Sequence, residues 1–173
     1  MTAEPNPAIG VRRGSPDEID LAWALRAEAT AASGFTVGSS ASSLARLTKR
    51  LSMPETTVFF VVYDGESVGV AVLCQAFSDS AFRIAIDGRA HISTVAVKSH
   101  YWGRGIGRRL MVETLNEARQ AHYRDVQLWV HCSNARAIRL YERFGFADTN
   151  DERSDDYGKP MHRYLRVLNE ESG

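Results

Sequence analysis

Only two cysteines, Cys74 and Cys132, occur in the 173 residues, and they stand far apart. They form no CxxC pair and no zinc-type spacing. That excludes a disulfide-stapled scaffold and a thiolate metal site, and a reduced, cytoplasmic setting is the expectation. Net charge is also lacking: 21 Lys and Arg balance 21 Asp and Glu. Bulk electrostatics therefore draws the chain to neither nucleic acid nor a membrane surface. No apolar run approaches the roughly 18 residues of a membrane span. The polar, proline-rich opening MTAEPNPAIG lacks the basic start and apolar centre of a signal peptide, so residues 1–8 read as a mobile leader. No internal repeat or low-complexity tract stands out.

What is present is an ordinary globular composition, 44% hydrophobic and 24% charged. It is long enough for one domain with a proper core, taken as residues 9–170. Ile9 to Arg13 reads as a first strand. Ser15-Pro16-Asp17-Glu18 is a helix-start signal with the makings of a capping box, and the helix should run to Ala32. A flexible stretch follows at 33–40. Leu44, Leu47 and Leu51 then share a helical spacing that Met53-Pro54 ends.

Val58 to Tyr63 and Val68 to Phe77 read as two strands joined by the Asp64-Gly65 turn. Residues 78–87 fit either a loop or an extension of the sheet. Ala90 to Val97 is another strand. Ile106, Leu110, Met111, Leu115 and Ala118 mark an amphipathic helix to Ala121. Asp125 to Val130 is a strand, Asn134 to Phe144 a short helix, and Phe146 opens a strand. A polar loop is expected at 151–160, with Met161 to Val167 closing the sheet. The order β-α-α-β-β-β-α-β-α-β-β is too rich in hairpins for a doubly wound sheet and indicates an α+β fold with a mixed sheet.

Two absences sharpen the reading of the stretch Trp102-Gly103-Arg104-Gly105-Ile106-Gly107-Arg108. It is not a GxGxxG fingerprint, because Arg108 stands where the third glycine is needed, and no GxxxxGK[ST] run exists. Yet glycines lie between a strand and a helix start, with Lys98, Arg104, Arg108 and Arg109 and no acid from Lys98 to Arg109. Helix-start amides lack internal partners, so a strand, a glycine turn and a helix N-terminus make a phosphate cradle.

At these residues the sequence resembles the GNAT superfamily of N-acetyltransferases. His91-Ile-Ser-Thr-Val-Ala-Val97 followed by Trp102 to Gly107 is similar to that family's fourth strand and acyl-CoA pyrophosphate loop. Asn134 to Phe146 resembles its NxxAxxxYxxxGF segment, in the family's order and at a fitting distance. Trp102 stands where the family has Gln or Arg, and Ser99 where it often has proline. The resemblance implies a mixed, mostly antiparallel sheet of about seven strands flanked by about four helices. It also implies acetyl transfer from acetyl-CoA to an amine, with no metal.

Carried over residue by residue, it implies cofactor contacts from the main chain of Val95, Ala96 and Val97, from Trp102, Gly103, Arg104, Gly105, Ile106, Gly107 and Arg108, and from Asn134 and Tyr141. Tyr141 would be the general acid for thiolate departure. Asn134 and Tyr141 lie seven residues apart, about 10 Å along a helix axis and on one face. Two plainer roles compete: Asn134 as a helix cap and Tyr141 as a core aromatic.

The base is less marked. In place of the carboxylate that many relatives carry, the strand offers His91, Ser93 and Thr94. His91 is a candidate, His131 another, and a water relay a third. No motif marks Cys132 as a nucleophile, so direct attack is expected.

The acceptor site should form from 33–43 and 147–160, with Phe35, Trp129 and Tyr157 as wall aromatics. Asp148, Asp151, Glu152, Asp155 and Asp156 would either attract a cationic amine or form a solvated acidic loop. A small amine or amino-acid-like metabolite is the first expectation for the acceptor, and a protein lysine or N-terminus the second. An acyl-CoA-binding regulatory domain without turnover is the rival function. The closing strands leave an edge that a homodimer could pair.

Overall fold

A computed structural model describes residues 7–35 and 40–168 of the chain. Most of the expected leader, residues 36–39 of the flexible stretch, and the last two residues of the expected domain lie outside the described residues. The element order is the expected one. It runs β1 (Ile9–Arg13), α1 (Ile19–Ala32), α2 (Ala41–Leu51), β2 (Thr57–Tyr63), β3 (Glu66–Phe77), β4 (Ala85–Val97), α3 (Ile106–Gln120), β5 (Asp125–His131), α4 (Ala135–Arg143), β6 (Ala147–Ser154) and β7 (Pro160–Val167). The seven strands form one sheet in the order β1-β2-β3-β4-β5-β7-β6. Every neighbouring pair is antiparallel except β4 with β5.

Local chemistry accounts for most of these elements. Asp64 and Gly65 both take positive φ, 48° and 84°, so Tyr63 pairs with Glu66 across a two-residue turn that suits the twist of β2 and β3. Ser40 caps α2 by accepting from the Ser43 amide.

Three expectations change. First, α1 starts at Ile19 rather than in the Ser15–Glu18 run, because only half of the capping box forms. The Glu18 carboxylate accepts from the Ser15 amide at 2.9 Å, but the Ser15 hydroxyl turns to Asp17. Second, the ambiguous 78–87 segment divides. Asp79 accepts from the amides of Ala81, Arg83 and Ile84, which ties off a loop, and β4 begins at Ala85. Third, β6 runs on to Ser154, so the polar loop shrinks to 155–159. Its sequence ADTNDERS has no apolar alternation because β6 is a largely exposed edge strand.

The core lies on both faces of the sheet. On one face α3 and α4 cover Ala90, Ile92, Val126 and Leu128 with Met111, Leu115 and Tyr141. On the other, Ala22 and Leu25 of α1 and Leu47 and Leu51 of α2 cover Phe60, Val70, Val72 and Ala96. Ile92 and Ala96 are both even-numbered, yet they serve opposite faces. The cause is a bulge at Ser93. Leu73 pairs with Ile92 and Val72 with Thr94, so Ser93 has no partner and the side-chain alternation of β4 reverses there.

Candidate functional site

The glycine stretch forms the entrance to α3. Gly103 and Gly105 take φ of 77° and 76°, a region in which a side chain costs roughly 1–2 kcal/mol. Gly105 is the residue before the first helical turn and supplies no side-chain cap. The first amide of this region with an intrahelical acceptor is that of Arg109, bonded to Gly105 O at 3.0 Å. Among the described residues the amides of residues 103–108 have no acceptor, so a row of donors stands at the positive end of a 15-residue helix. Gly107 serves packing instead: a Cβ there would lie 3.2 Å from Leu140 of α4.

The side chains around this row divide. Lys98 pairs with Glu66. Arg104 turns away to bond Tyr63 Oη at 3.1 Å and lies over the Tyr63 and Tyr101 rings. Arg108 and Arg109 are exposed and have no ion pair among the described residues. Trp102 donates from Nε1 to Val97 O at 2.8 Å and lies under the Arg136 guanidinium, 3.9 Å from the ring centroid. The loop is thereby held to the end of β4 and to α4. Arg136 was not foreseen; nothing at sequence level marks a cation thirty-four residues away as a partner of Trp102.

Strand β4 ends at Val97, and one 3-10 turn, Ser99–Tyr101, joins it to this loop. Its parallel pairing with β5 covers only Arg89↔Asp125 to Ile92↔Leu128, although β3 continues to pair with it up to Val97. Beyond Ile92 the two strands part. The β5-side edge of Ser93–Val97 is left without a strand partner, and a cavity of about 750 Å³ opens between the strands. Thr94, Val95 and Ala96 line it from β4, Trp129 and His131 from β5, and Asn134, Ala137 and Tyr141 from α4.

Tyr141 is 8% exposed and packs edge-on against Phe146. Its hydroxyl has no hydrogen-bond partner among the described residues, and burial pushes the phenol up to about 12, so it is a protonated donor at neutral pH. Asn134 caps α4 through its side-chain oxygen, which accepts from the Ala137 amide at 3.2 Å. The plainer role expected for it is therefore real, and its amide nitrogen is what remains for the cavity.

The two imidazoles differ. His91 is buried, with Nδ1 unpartnered; burial, with the Arg50 and Arg153 charges adding, pushes its pKa well below the usual imidazole range. His131 stacks on Phe35, with ring centroids 4.2 Å apart. Its Nε2 meets Asp155 Oδ2 at 2.8 Å. Cys74 is buried, which raises its thiol to about 11, and Cys132 is exposed outside the cavity lining.

The far side of the cavity carries charges of both signs. The expected acidic rim has its own partners: Asp148 and Glu152 with His162, Asp151 with Arg163, Asp155 with His131, and Asp156 with Arg46. Asp156 also accepts from the hydroxyls of Ser40 and Ser42, and Arg46 foremost draws its carboxyl down to about 2. Against these paired acids the cavity presents Arg26 of α1, Arg50 of α2 and Arg153 of β6. The i, i+4 spacing of Arg46 and Arg50 was visible in the sequence, but not the cavity it faces. Among the described residues no helix is long and apolar enough to cross a membrane, and no group of three or more His, Cys, Asp or Glu is placed to hold a metal ion.

Comparison with known proteins agrees with this fold. The family model described as "Acetyltransferase (GNAT) family" matches residues 23–146. An uncharacterized N-acetyltransferase of Methanocaldococcus jannaschii is 36% identical over 92 residues, which are 52% of this chain. The match spans only 39% of that relative's length. Among solved structures, Ard1 of Thermoplasma volcanium superposes with a TM-score of 0.71 at 21% identity, over 94% of this chain and 99% of that one. The PaiA N-acetyltransferase of Thermoplasma acidophilum, solved in complex with coenzyme A, gives 0.64 at 16% identity, over 90% and 98%. At such identities the likeness is one of fold.

Proposed function

The chain belongs to the GNAT acetyltransferase family, and on that premise we propose that residues 9–170 form one domain that moves an acetyl group from acetyl-CoA to a primary amine by direct attack. One observation carries the reading. β4 leads from a cavity containing Tyr141, along an edge that β5 leaves free, through the short turn Ser99–Tyr101 to a loop whose amides have no partner among the described residues. A diphosphate suits the amides of residues 103–108, and Arg108 and Arg109 add positive charge beside them. The amide-bearing arm of the coenzyme suits the free main-chain edge of Val95, Ala96 and Val97, as an added strand would. The coenzyme bound to PaiA supports the same choice of ligand.

The reaction asks four things of this chain. A main-chain donor on β4 near Val95 steadies the oxyanion as the nitrogen attacks the thioester carbonyl. The C–N bond forms and the C–S bond breaks, with the electron pair leaving on sulfur. Tyr141 gives its proton to that sulfur. The ammonium proton of the acceptor must also be removed, because a lysine-like amine titrates near about 10.

His131 is the base we favour over His91. A carboxylate at Nε2 fixes the tautomer that leaves Nδ1 free to accept. His91 is neutral but buried beside arginines, which makes it a poor proton acceptor. Neither cysteine is arranged as an acyl carrier, which supports direct attack.

Calorimetric titration with acetyl-CoA, CoA and NAD tests the cofactor, and thiol release over an amine panel tests turnover. Binding of CoA and its acetyl ester but not NAD, with thiol release, is expected. Binding of NAD alone overturns the proposal. CoA binding without release on any amine or peptide replaces it with an acyl-CoA-binding regulatory domain. Release only on peptides would place the acceptor on a protein lysine or N-terminus.

A further inference from the structure

Charge in the acceptor half of the cavity does not balance. Arg46, Arg163 and His131 each meet a carboxylate, Asp156, Asp151 and Asp155 respectively. Arg26, Arg50 and Arg153 meet none within 4.0 Å among the described residues, although they come from three different elements and line one cavity. Aromatic rings orient each of them. The Arg50 guanidinium carbon lies 4.9 Å from the Phe82 centroid, that of Arg153 4.3 Å from Trp129, and that of Arg26 5.8 Å from Trp23. Arg50 Nε is buried and bonded to nothing in the described residues. Burial, with the charges of Arg50 and Arg46 adding, holds Arg26 down to about 10.

Like charges gathered in one cavity, with Arg26 and Arg50 half-buried and Arg153 at its exposed edge, are costly unless something else neutralises them. Among the described residues Asp156 offsets part of the charge of Arg26 and Arg153, but it is already paired with Arg46, and Asp79, an acid of the same lining, is held by the amides of its own loop and by Arg83. Planar guanidiniums are the usual means of holding an oxyanion by paired hydrogen bonds. The coenzyme's diphosphate does not fill this place, because none of residues 102–108 lines the cavity.

We infer that the acceptor amine carries a carboxylate, held by Arg26, Arg50 and Arg153, so that the substrate class is amino acids and amino-acid-like amines rather than polyamines or basic peptides. The inference rests on the acetyltransfer reading above. It also eases a chemical difficulty: surplus positive charge around an ammonium lowers its pKa and so favours the neutral nucleophile. Nitrogen then attacks the thioester carbon, the C–S electron pair leaves on sulfur, and the displaced amine proton passes to His131. The products are the N-acetyl amino acid and CoA.

The test compares α-amino acids with their own carboxamides, and adds phosphoethanolamine and putrescine, by thiol release. The expected result is kcat/KM at least about 100-fold higher for the carboxylates than for the carboxamides, the worth of charge-assisted hydrogen bonds from more than one guanidinium. Arg50→Gln and Arg153→Gln should each raise KM for the carboxylates at least about tenfold and by a clearly larger factor than for the carboxamides, with CoA affinity unchanged. Arg153 lies on an exposed edge strand, so its variant should fold whatever happens to Arg50. Arg50→Gln should also raise Tm, since it removes an unpaired charge.

Phosphoethanolamine as the better substrate would move the anion from carboxylate to phosphate and overturn the assigned class. Putrescine or carboxamides used as well as the carboxylates would overturn the inference while leaving the acetyltransferase reading intact. With no turnover on any amine, the CoA-loaded protein is titrated with N-acetyl amino acids and their amides. Preference for the acids upholds the inference, and equal or no binding ends it. Failure to bind CoA at all is the outcome that removes the parent reading.

Discussion

Replacing Gly105 by glutamate separates two roles of the loop, shaping the backbone and attracting an anion. Gly105 has φ of 76°, and a Cβ built on it meets nothing within 4 Å. A side chain there strains the backbone without striking the protein. The strain, roughly 1–2 kcal/mol, acts on stability and should lower Tm by about 2–8 °C for a chain of this size. The charge acts on binding. A carboxylate about 5 Å from a phosphate, at an effective dielectric of about 20, is repelled by roughly 3 kcal/mol, or about 150-fold in Kd.

Gly105→Asn is the control, because asparagine tolerates the left-handed region and carries no charge. Calorimetry with CoA should give the asparagine variant a Kd within about fivefold of the parent. The glutamate variant should bind at least about 100-fold more weakly. At 1 M salt, where the screening length falls to about 3 Å, most of that difference should disappear. A glutamate variant that binds CoA within threefold of the parent would show that the amides of residues 103–108 hold no diphosphate. The loop would then be a turn and nothing more.

Two further predictions concern proton transfer. Tyr141→Phe keeps the ring against Phe146 and should leave Tm and CoA affinity unchanged while lowering kcat at least about 100-fold, the usual worth of a general acid; an unchanged kcat removes the residue from the chemistry. In the unsubstituted protein the phenol, raised to about 12, stays protonated until pH passes that value, so kcat should show no loss of acid function between pH 7 and 10. Asp155→Asn retains an oxygen for the Tyr157 and Lys159 amides but loses the carboxylate beside His131. It should lower kcat at least about tenfold with CoA affinity unchanged; full activity would return the base to His91 or to water.

Much of the fold was legible because its causes are local. The Asp64-Gly65 turn, the apolar period of α3 and the glycines before it depend on neighbouring residues, and each was readable in place. The misses have equally definite causes. The second half of β6, residues 151–154, was read as loop because an edge strand exposed on both faces needs no apolar alternation. The start of α1 was misplaced because the Ser15 hydroxyl had a competing local partner in Asp17, which the capping pattern does not reveal. Asn134 showed two compatible roles, and the sequence offered no way to rank them.

The candidate site divides along the same line. The amide row before α3, and Asn134 and Tyr141 on one helical face, follow from spacing along the chain, and so the sequence by itself determined them. The parting of β4 from β5 after Ile92, the reversal of faces at Ser93 and the meeting of Arg26, Arg50 and Arg153 were decided only by the tertiary structure. So was the charge of the cavity, because a tally of acids and bases along 147–160 cannot say which are already paired. Periodicity and capping act within a few residues. The electrostatics of a cavity depends on which side chains arrive from elements more than a hundred residues apart.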